Sequence, residues 1–142
     1  MRFELPAEKK LVHEMTIPIR WGDMDAMGHV NNTIYFRYFE IVRLDWYFGV
    51  GARHGITALD NEGVIIVNAF CNFIRQLEFP GDVRAKMFVD NAGRSSFDTY
   101  LTLERIDEPG VIYSEGGATT VWADFAAKKS KPMPDWLRSI VR

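Results

Sequence analysis

Thr33-Ile34-Tyr35-Phe36-Arg37-Tyr38-Phe39-Glu40-Ile41-Val42-Arg43-Leu44-Asp45-Trp46-Tyr47-Phe48 is the stretch on which the fold turns. Tyr35, Tyr38, Phe39, Val42 and Trp46 recur at the spacing of one helical face. Ile34, Phe36, Ile41, Leu44 and Tyr47 add apolar bulk around the remainder. The spacing therefore predicts one helix over residues 33–48 that must be buried on several sides, with Gly49 and Gly51 as its stop. Upstream, Leu11, His13, Met15, Ile17 and Ile19 alternate with Val12, Glu14, Thr16 and Pro18, a strand whose proline marks an edge or an end. Downstream, a polar connection over 54–62 leads to four more period-two segments, at 63–77, 82–91, 96–105 and 111–125. The first of these sets Ile65, Val67, Ala69, Cys71 and Phe73 on one face, and the last carries Gly116-Gly117, read as a bulge or bend. Turns at Pro80-Gly81, Ala92-Gly93 and Pro109-Gly110 predict that sequential strands are antiparallel neighbours, and 134–141 reads as a short terminal helix. The order is β-α-β-β-β-β. A half-apolar set of strands and a helix apolar nearly all round are satisfied together by an α+β fold, a curved antiparallel five-stranded sheet wrapped around one long central helix.

At 142 residues the chain suits one domain, 1–142. A formal charge of −2 argues against a nucleic-acid partner, although a local basic patch can still hold a phosphorylated ligand. A single cysteine rules out an intramolecular disulfide and fits a reducing cytoplasm. Residues 1–10 are polar and lack a signal peptide's apolar core, and no apolar run approaches the roughly 20 residues that span a bilayer, so a cytoplasmic protein with no membrane partner is expected.

Immediately before the helix stands Arg20-Trp21-Gly22-Asp23-Met24-Asp25-Ala26-Met27-Gly28-His29-Val30-Asn31-Asn32. A carboxylate beside a helix N-terminus lies next to free backbone N–H donors that can hold an oxyanion. Asp25 is thus either a base or nucleophile, or a solvated loop aspartate below an ordinary Asn cap. Asp23 reads as a turn-shaping residue that bonds a backbone N–H, and Gly28 as the residue that permits the turn. His29 has no compact second His or Cys ligand nearby, so no metal is expected. Cys71 reads as a core cysteine. Ser95-Ser96 lacks the strand-turn-helix setting of a hydrolase nucleophile. Lys128, Lys129 and Lys131 cluster at the end of the last strand, and with Arg75 and Arg94 they are either solvated charge or phosphate contacts.

The pattern Asp23-x-Asp25-x-x-Gly28-His29-Val30-Asn31-Asn32, followed by an aromatic-rich helix, resembles the hotdog-fold acyl-CoA thioesterases of the 4-hydroxybenzoyl-CoA thioesterase family. Asn72-Phe73-Ile74-Arg75-Gln76-Leu77-Glu78-Phe79-Pro80-Gly81-Asp82-Val83 resembles that family's strand, turn and strand. Gly93-Arg94-Ser95-Ser96 resembles a coenzyme-contacting hairpin, and Lys131-Pro132-Met133-Pro134 the end of the last strand. The likeness runs from residue 11 to 136. It implies a hotdog fold, a homodimer or homotetramer with sites at the subunit interface, and an acyl-CoA substrate hydrolysed to free acid and coenzyme A. Asp25 would act as nucleophile or general base, the Asn32 backbone N–H would polarise the thioester carbonyl, and Gly28 would shape the turn. His29 would hold the loop, bind a carbonyl or move protons. Arg94, Ser95 and Ser96, with Arg75, Lys128 and Lys129, would hold the coenzyme's polar arm. No cofactor is implied beyond the coenzyme A of the substrate. The related acyl-carrier-protein thioesterases carry Asp, Asn and His in this loop, whereas this chain has Met27 where they have Asn. A carrier-protein thioesterase is the alternative enzyme. A non-catalytic acyl-CoA-binding module is the alternative of another class, and Asp25 argues against it.

Overall fold

The computed structural model describes residues 1–57 and 60–142; residues 58 and 59, within the connection expected over 54–62, lie outside it. Among the described residues six strands and two α-helices follow in chain order: β1 (Lys10–Pro18), α1 (Asn32–Gly51), β2 (Glu62–Phe73), β3 (Asp82–Asp90), β4 (Ser96–Arg105), β5 (Ile112–Asp124), β6 (Lys129–Ser130) and α2 (Asp135–Val141). All pairings are antiparallel, in the order β1-β3-β4-β5-β2, with β6 folded back onto the end of β5. One face of this sheet carries Val83, Ala85 and Met87 of β3, Leu101 and Leu103 of β4, and Trp122 of β5, all 0% exposed. Against it α1 sets Tyr38, Phe39, Val42 and Trp46, also buried. Sheet curvature around one helix is what the apolar patterning predicts. Among the described residues no helix is long and apolar enough to cross a membrane.

Four details depart from the sequence reading. The turn at Pro80-Gly81 does not join neighbours: β2 lies at the far edge against β5, and β3 lies between β1 and β4. The segment between β2 and β3 is a crossover along one end of the sheet, fastened by Ile74 N–H and Arg75 N–H to Tyr113 O at 3.0 and 2.9 Å. Second, Gly116-Gly117 makes no bulge, because both pair in unbroken register with Leu101 and Tyr100 on one side and Cys71 and Phe70 on the other. A Cβ on Gly116 would stand 2.5 Å from Phe39 Cε2, so the glycine lets α1 approach the sheet. Third, the register shift in β2 falls between Ile66 and Asn68. It changes the phase of alternation, so Val64 and Ile66, rather than Ile65 and Val67, share the inner face with Cys71.

Fourth, α1 runs through Gly49 and Gly51, and a 3-10 turn at Ala52–His54 ends on Gly55 at φ 77°. Nor is the helix covered on several sides within one chain: Phe36, Ile41, Leu44 and Phe48 remain exposed. β2 is also exposed over Ile65, Ile66 and Val67, and its outer edge has no partner strand among the described residues. Pro18 ends β1, and β1 is itself an edge, so both readings of that proline hold.

Candidate active site

The chain leaves β1 at one end of the sheet and makes a compact loop before α1. Asp25 N–H donates to His29 O at 2.8 Å, and Gly28 N–H donates to Asp25 O at 3.1 Å. Gly28 has φ 81°, the left-handed region in which a side chain would be strained, so this position requires glycine. Met24 and Val30 bridge across the loop, and Val30 N–H reaches over to Leu77 O at 2.8 Å. The crossover thus holds the loop from behind. Arg105 fixes the crossover in turn, its guanidinium donating to Glu78 O and Pro80 O at 2.8 Å each while pairing with Asp107.

Within this frame the two aspartates separate. Asp23 Oδ2 accepts from Arg20 N–H at 3.0 Å and from the Tyr38 hydroxyl at 2.6 Å, so it shapes the turn, as expected, and anchors it to the helix. Burial, reinforced by this bond to Asp23, pushes the Tyr38 phenol well above its ordinary range. Asp25 Oδ1 accepts from Met27 N–H at 2.9 Å. Its other carboxylate oxygen forms no hydrogen bond among the described residues, and the side chain is half-buried. A half-shielded carboxylate with one oxygen fixed and the other open is oriented for attack or proton transfer.

The helix cap is Asn31, not Asn32: Asn31 Oδ1 accepts from Thr33 N–H at 2.9 Å and from the Thr33 hydroxyl at 2.7 Å. Asn32 is the first helical residue, and its N–H has no partner among the described residues. It is one of the donors every helix start leaves open. His29 Nε2 lies 3.5 Å from Glu78 Oε1. Tyr35 was legible only as a core aromatic, yet its hydroxyl accepts from Leu77 N–H at 3.1 Å. Burial raises the Tyr35 phenol above its ordinary range, opposed by the bond from Leu77 N–H and reinforced by the charge of Asp25. Cys71 is half-buried rather than fully buried, and burial pushes its thiol up to about 12, which leaves it unreactive at neutral pH. Trp21 and Met27 stand exposed on either side of Asp25 in sequence, an apolar rim to the loop.

Asp25, Gly28, His29 and Asn32 are therefore together at one end, and Arg75 shares that end through its N–H bond to Tyr113 O. Arg94, Ser95 and Ser96 are not there. Ser96 pairs with Val121, eight residues along β5 from Tyr113, or roughly 26 Å at the rise of a strand. The hairpin bearing Arg94 is tied instead to the C-terminal segment, through Met133 N–H and Arg138 Nη2 to Arg94 O at 2.9 and 2.8 Å. Lys128, at φ 56°, and Lys129, paired with Asp124, lie at that same far end. Within one chain, of the phosphate-holding candidates, Arg75 shares the end of the carboxylate, whereas Arg94, Ser95, Ser96, Lys128 and Lys129 lie at the other.

A family model described as the thioesterase-like superfamily matches residues 19–141. Among solved structures, the PA2801 protein of Pseudomonas aeruginosa, provisionally named a thioesterase, superposes with a TM-score of 0.87 at 32% identity, covering 94% of this chain and 100% of that one. A Xanthomonas campestris protein provisionally named an acyl-CoA thioesterase superposes at 0.77 with 32% identity, covering 87% and 100%. A chloroplastic acyl-acyl carrier protein thioesterase of Arabidopsis thaliana (ATL3) is 28% identical over 132 residues, 89% of this chain; the chain spans 66% of that relative's length.

Proposed function

The chain belongs to the thioesterase-like superfamily, with the hotdog fold, and is a thioester hydrolase; from that premise we propose that its substrates are acyl-CoA thioesters and that Asp25 acts on the thioester carbonyl. The observation that carries this reading is that an Asp25 carboxylate oxygen and the Asn32 N–H at the start of α1, at one end of the sheet, both lack a hydrogen-bond partner among the described residues. The N–H and the positive end of the helix dipole stabilise negative charge as it develops on the carbonyl oxygen. The carboxylate either attacks the acyl carbon, expelling the coenzyme thiolate and leaving a mixed anhydride that water opens, or takes a proton from an attacking water. Gly28 holds the turn and His29 holds the loop against Glu78.

The reading includes a second copy of the chain. An apolar edge strand without a partner invites pairing, and β2 presents Ile65, Ile66 and Val67 beside the exposed face of α1. Antiparallel pairing of two β2 edges about a two-fold axis inverts one protomer against the other. The Phe73 end of β2, with Asp25, then meets the Glu62 end of its partner, where Arg94, Ser95, Ser96, Lys128 and Lys129 lie. A homodimer thus reunites the carboxylate with the coenzyme-holding side chains.

The likeness to the Arabidopsis enzyme favours a second reading, in which the thiol is carried by an acyl-carrier protein. Release of free thiol from a panel of short, long and aromatic acyl-CoAs, run beside the same acyl groups on carrier protein, separates the two. Turnover of the CoA esters supports the first reading, and turnover confined to the carrier-bound esters replaces it with the second.

A further inference from the structure

α1 and the inner face of β2 enclose a cavity of about 150 Å³. Its walls are mostly apolar, from Leu44, Trp46, Val64 and Phe97, and its polar lining is Glu40, Arg43, Tyr47, Thr99 and Thr120. Thr120 is 3% exposed, and its hydroxyl has no hydrogen-bond partner among the described residues. Its neighbour Thr99 differs, donating to Ala118 O at 3.3 Å. A buried hydroxyl left without a partner is rare in native proteins and calls for an explanation. Arg43 is half-buried and forms no ion pair or hydrogen bond among the described residues. Glu40, the carboxylate that acts on it most, is itself held by Arg37 at 2.7 Å. The cavity is therefore lined by a guanidinium and a hydroxyl that have no partner among the described residues, a donor set suited to a carboxylate.

Its position relates it to the thioester site. Phe36, Glu40, Arg43 and Tyr47 form the stripe of α1 that faces β2, and Phe36 meets Phe73 near the Asp25 end, ring centroids 6.4 Å apart. From Asn32 to Arg43 the helix rises roughly 16 Å. Helical side chains lean toward the N-terminus, which brings the Arg43 guanidinium closer than its backbone. An acyl chain whose carbonyl sits at the Asn32 N–H and whose body follows this seam ends in the cavity.

We propose that the cavity receives the far end of the acyl chain, and that Thr120 and Arg43 select a chain terminated by a carboxylate. The inference rests on the thioesterase reading and adds its substrate class: medium-chain ω-carboxyacyl thioesters. Octanedioyl-CoA and octanoyl-CoA, equal in length and different only at the far end, test it. The wild type should favour octanedioyl-CoA. Thr120→Val, which replaces the hydroxyl by a methyl of the same shape, and Arg43→Met should each lower kcat/KM for octanedioyl-CoA by about tenfold or more, as expected for a lost charge-assisted bond. Both should leave octanoyl-CoA within about twofold. A wild-type preference for octanoyl-CoA overturns the proposal. So does an equal loss on both substrates, and when that loss accompanies dissociation to monomers Arg43 is an interface residue instead.

A binding readout keeps this question apart from the activity itself. Trp46 lines the cavity, so octanedioate, but not octanoate, should change its fluorescence, with no signal in Trp46→Phe and a weakened one in Arg43→Met. If neither thioester is hydrolysed but octanedioate gives this response, the reaction assignment fails and the carboxylate site stands. If octanedioate gives no response, the site fails.

Discussion

Asp23 and Asp25 stand two residues apart, and their carboxylates meet different partners: Asp23 is bound by Arg20 N–H and the Tyr38 hydroxyl, whereas Asp25 has one oxygen on Met27 N–H and the other without a hydrogen bond among the described residues. The two should therefore fail differently. Asp25→Asn keeps an oxygen that can accept from Met27 N–H but loses the ability to attack or to take a proton. Thioester hydrolysis should fall at least about a hundredfold with the thermal midpoint unchanged. Turnover near wild type in the folded variant removes Asp25 from the reaction. Tyr38→Phe acts on the other carboxylate, deleting a hydrogen bond to a charged group at a cost of about 1–2 kcal/mol, or roughly 3–6 °C in Tm. Calorimetry checks this. The same residue sets an alkaline limit. Its folded pKa lies above its ordinary value of 10.0, through burial first and the Asp23 bond second, so its contribution to stability is complete below pH 10 and declines as pH rises beyond it. Tyr47, pushed up to about 12 by burial, adds in the same direction. Stability of the wild type should thus fall above pH 10, and Tyr38→Phe should fall less steeply. Asp25, Gly28 and Asn32 could be read from one contiguous stretch because the loop that joins them is local. The roles of Tyr35, Leu77 and Glu78 could not, since they depend on where a crossover some fifty residues later passes.

Among the elements, β5 and α1 come close at Gly116, where an added Cβ would lie against Phe70 O and 2.5 Å from Phe39 Cε2. Backbone on one side and a fully packed ring on the other leave nowhere for a methyl group to go. Gly116→Ala should cost about 1–3 kcal/mol, the usual range for overpacking, and lower Tm by roughly 3–9 °C. Gly22→Ala is the control: nothing lies within 4 Å of its added Cβ, and its Tm should stay close to wild type. Equal melting of the two variants would mean that the helix does not rest on that glycine. This contact explains why a pair of glycines in a strand reads ambiguously: a bulge and a close approach both demand the loss of a side chain, and only the register tells them apart. Strand positions were legible from alternation in β3 and β4 because each buries one face only. The inner face of β2 was not, because its shift between Ile66 and Asn68 reverses the phase within one run of apolar residues. The neighbour of β2 was likewise hidden, since Pro80-Gly81 looks like a hairpin turn but closes a crossover.

For the whole molecule, the proposed function must join a carboxylate at one end of the sheet to an Arg94 hairpin at the other, ends roughly 26 Å apart along β5. The proposed two-fold pairing of β2 edges would do so, and it has a consequence that no single-chain site shares. If each site combines Asp25 of one protomer with Arg94 of the other, a dimer of Asp25→Asn with Arg94→Ala holds one site with both defects and one with neither. Coexpressed, the two variants should exceed the sum of their separate activities. With random pairing about half of the dimers are mixed and each has one intact site, so recovery should approach about a quarter of wild type. The assay belongs at acyl-CoA concentrations below KM, because Arg94→Ala should raise KM more than it lowers kcat: a contact to the remote phosphates holds ground state and transition state about equally. A short pantetheine thioester, which has no nucleotide, should show little Arg94 dependence. If the site lies within one chain, every mixed dimer carries one site of each defect and recovers nothing beyond the sum. Sedimentation equilibrium run on the same samples separates the remaining case, because a wild type that is monomeric at micromolar concentration has no interface at which the two halves of a site can meet.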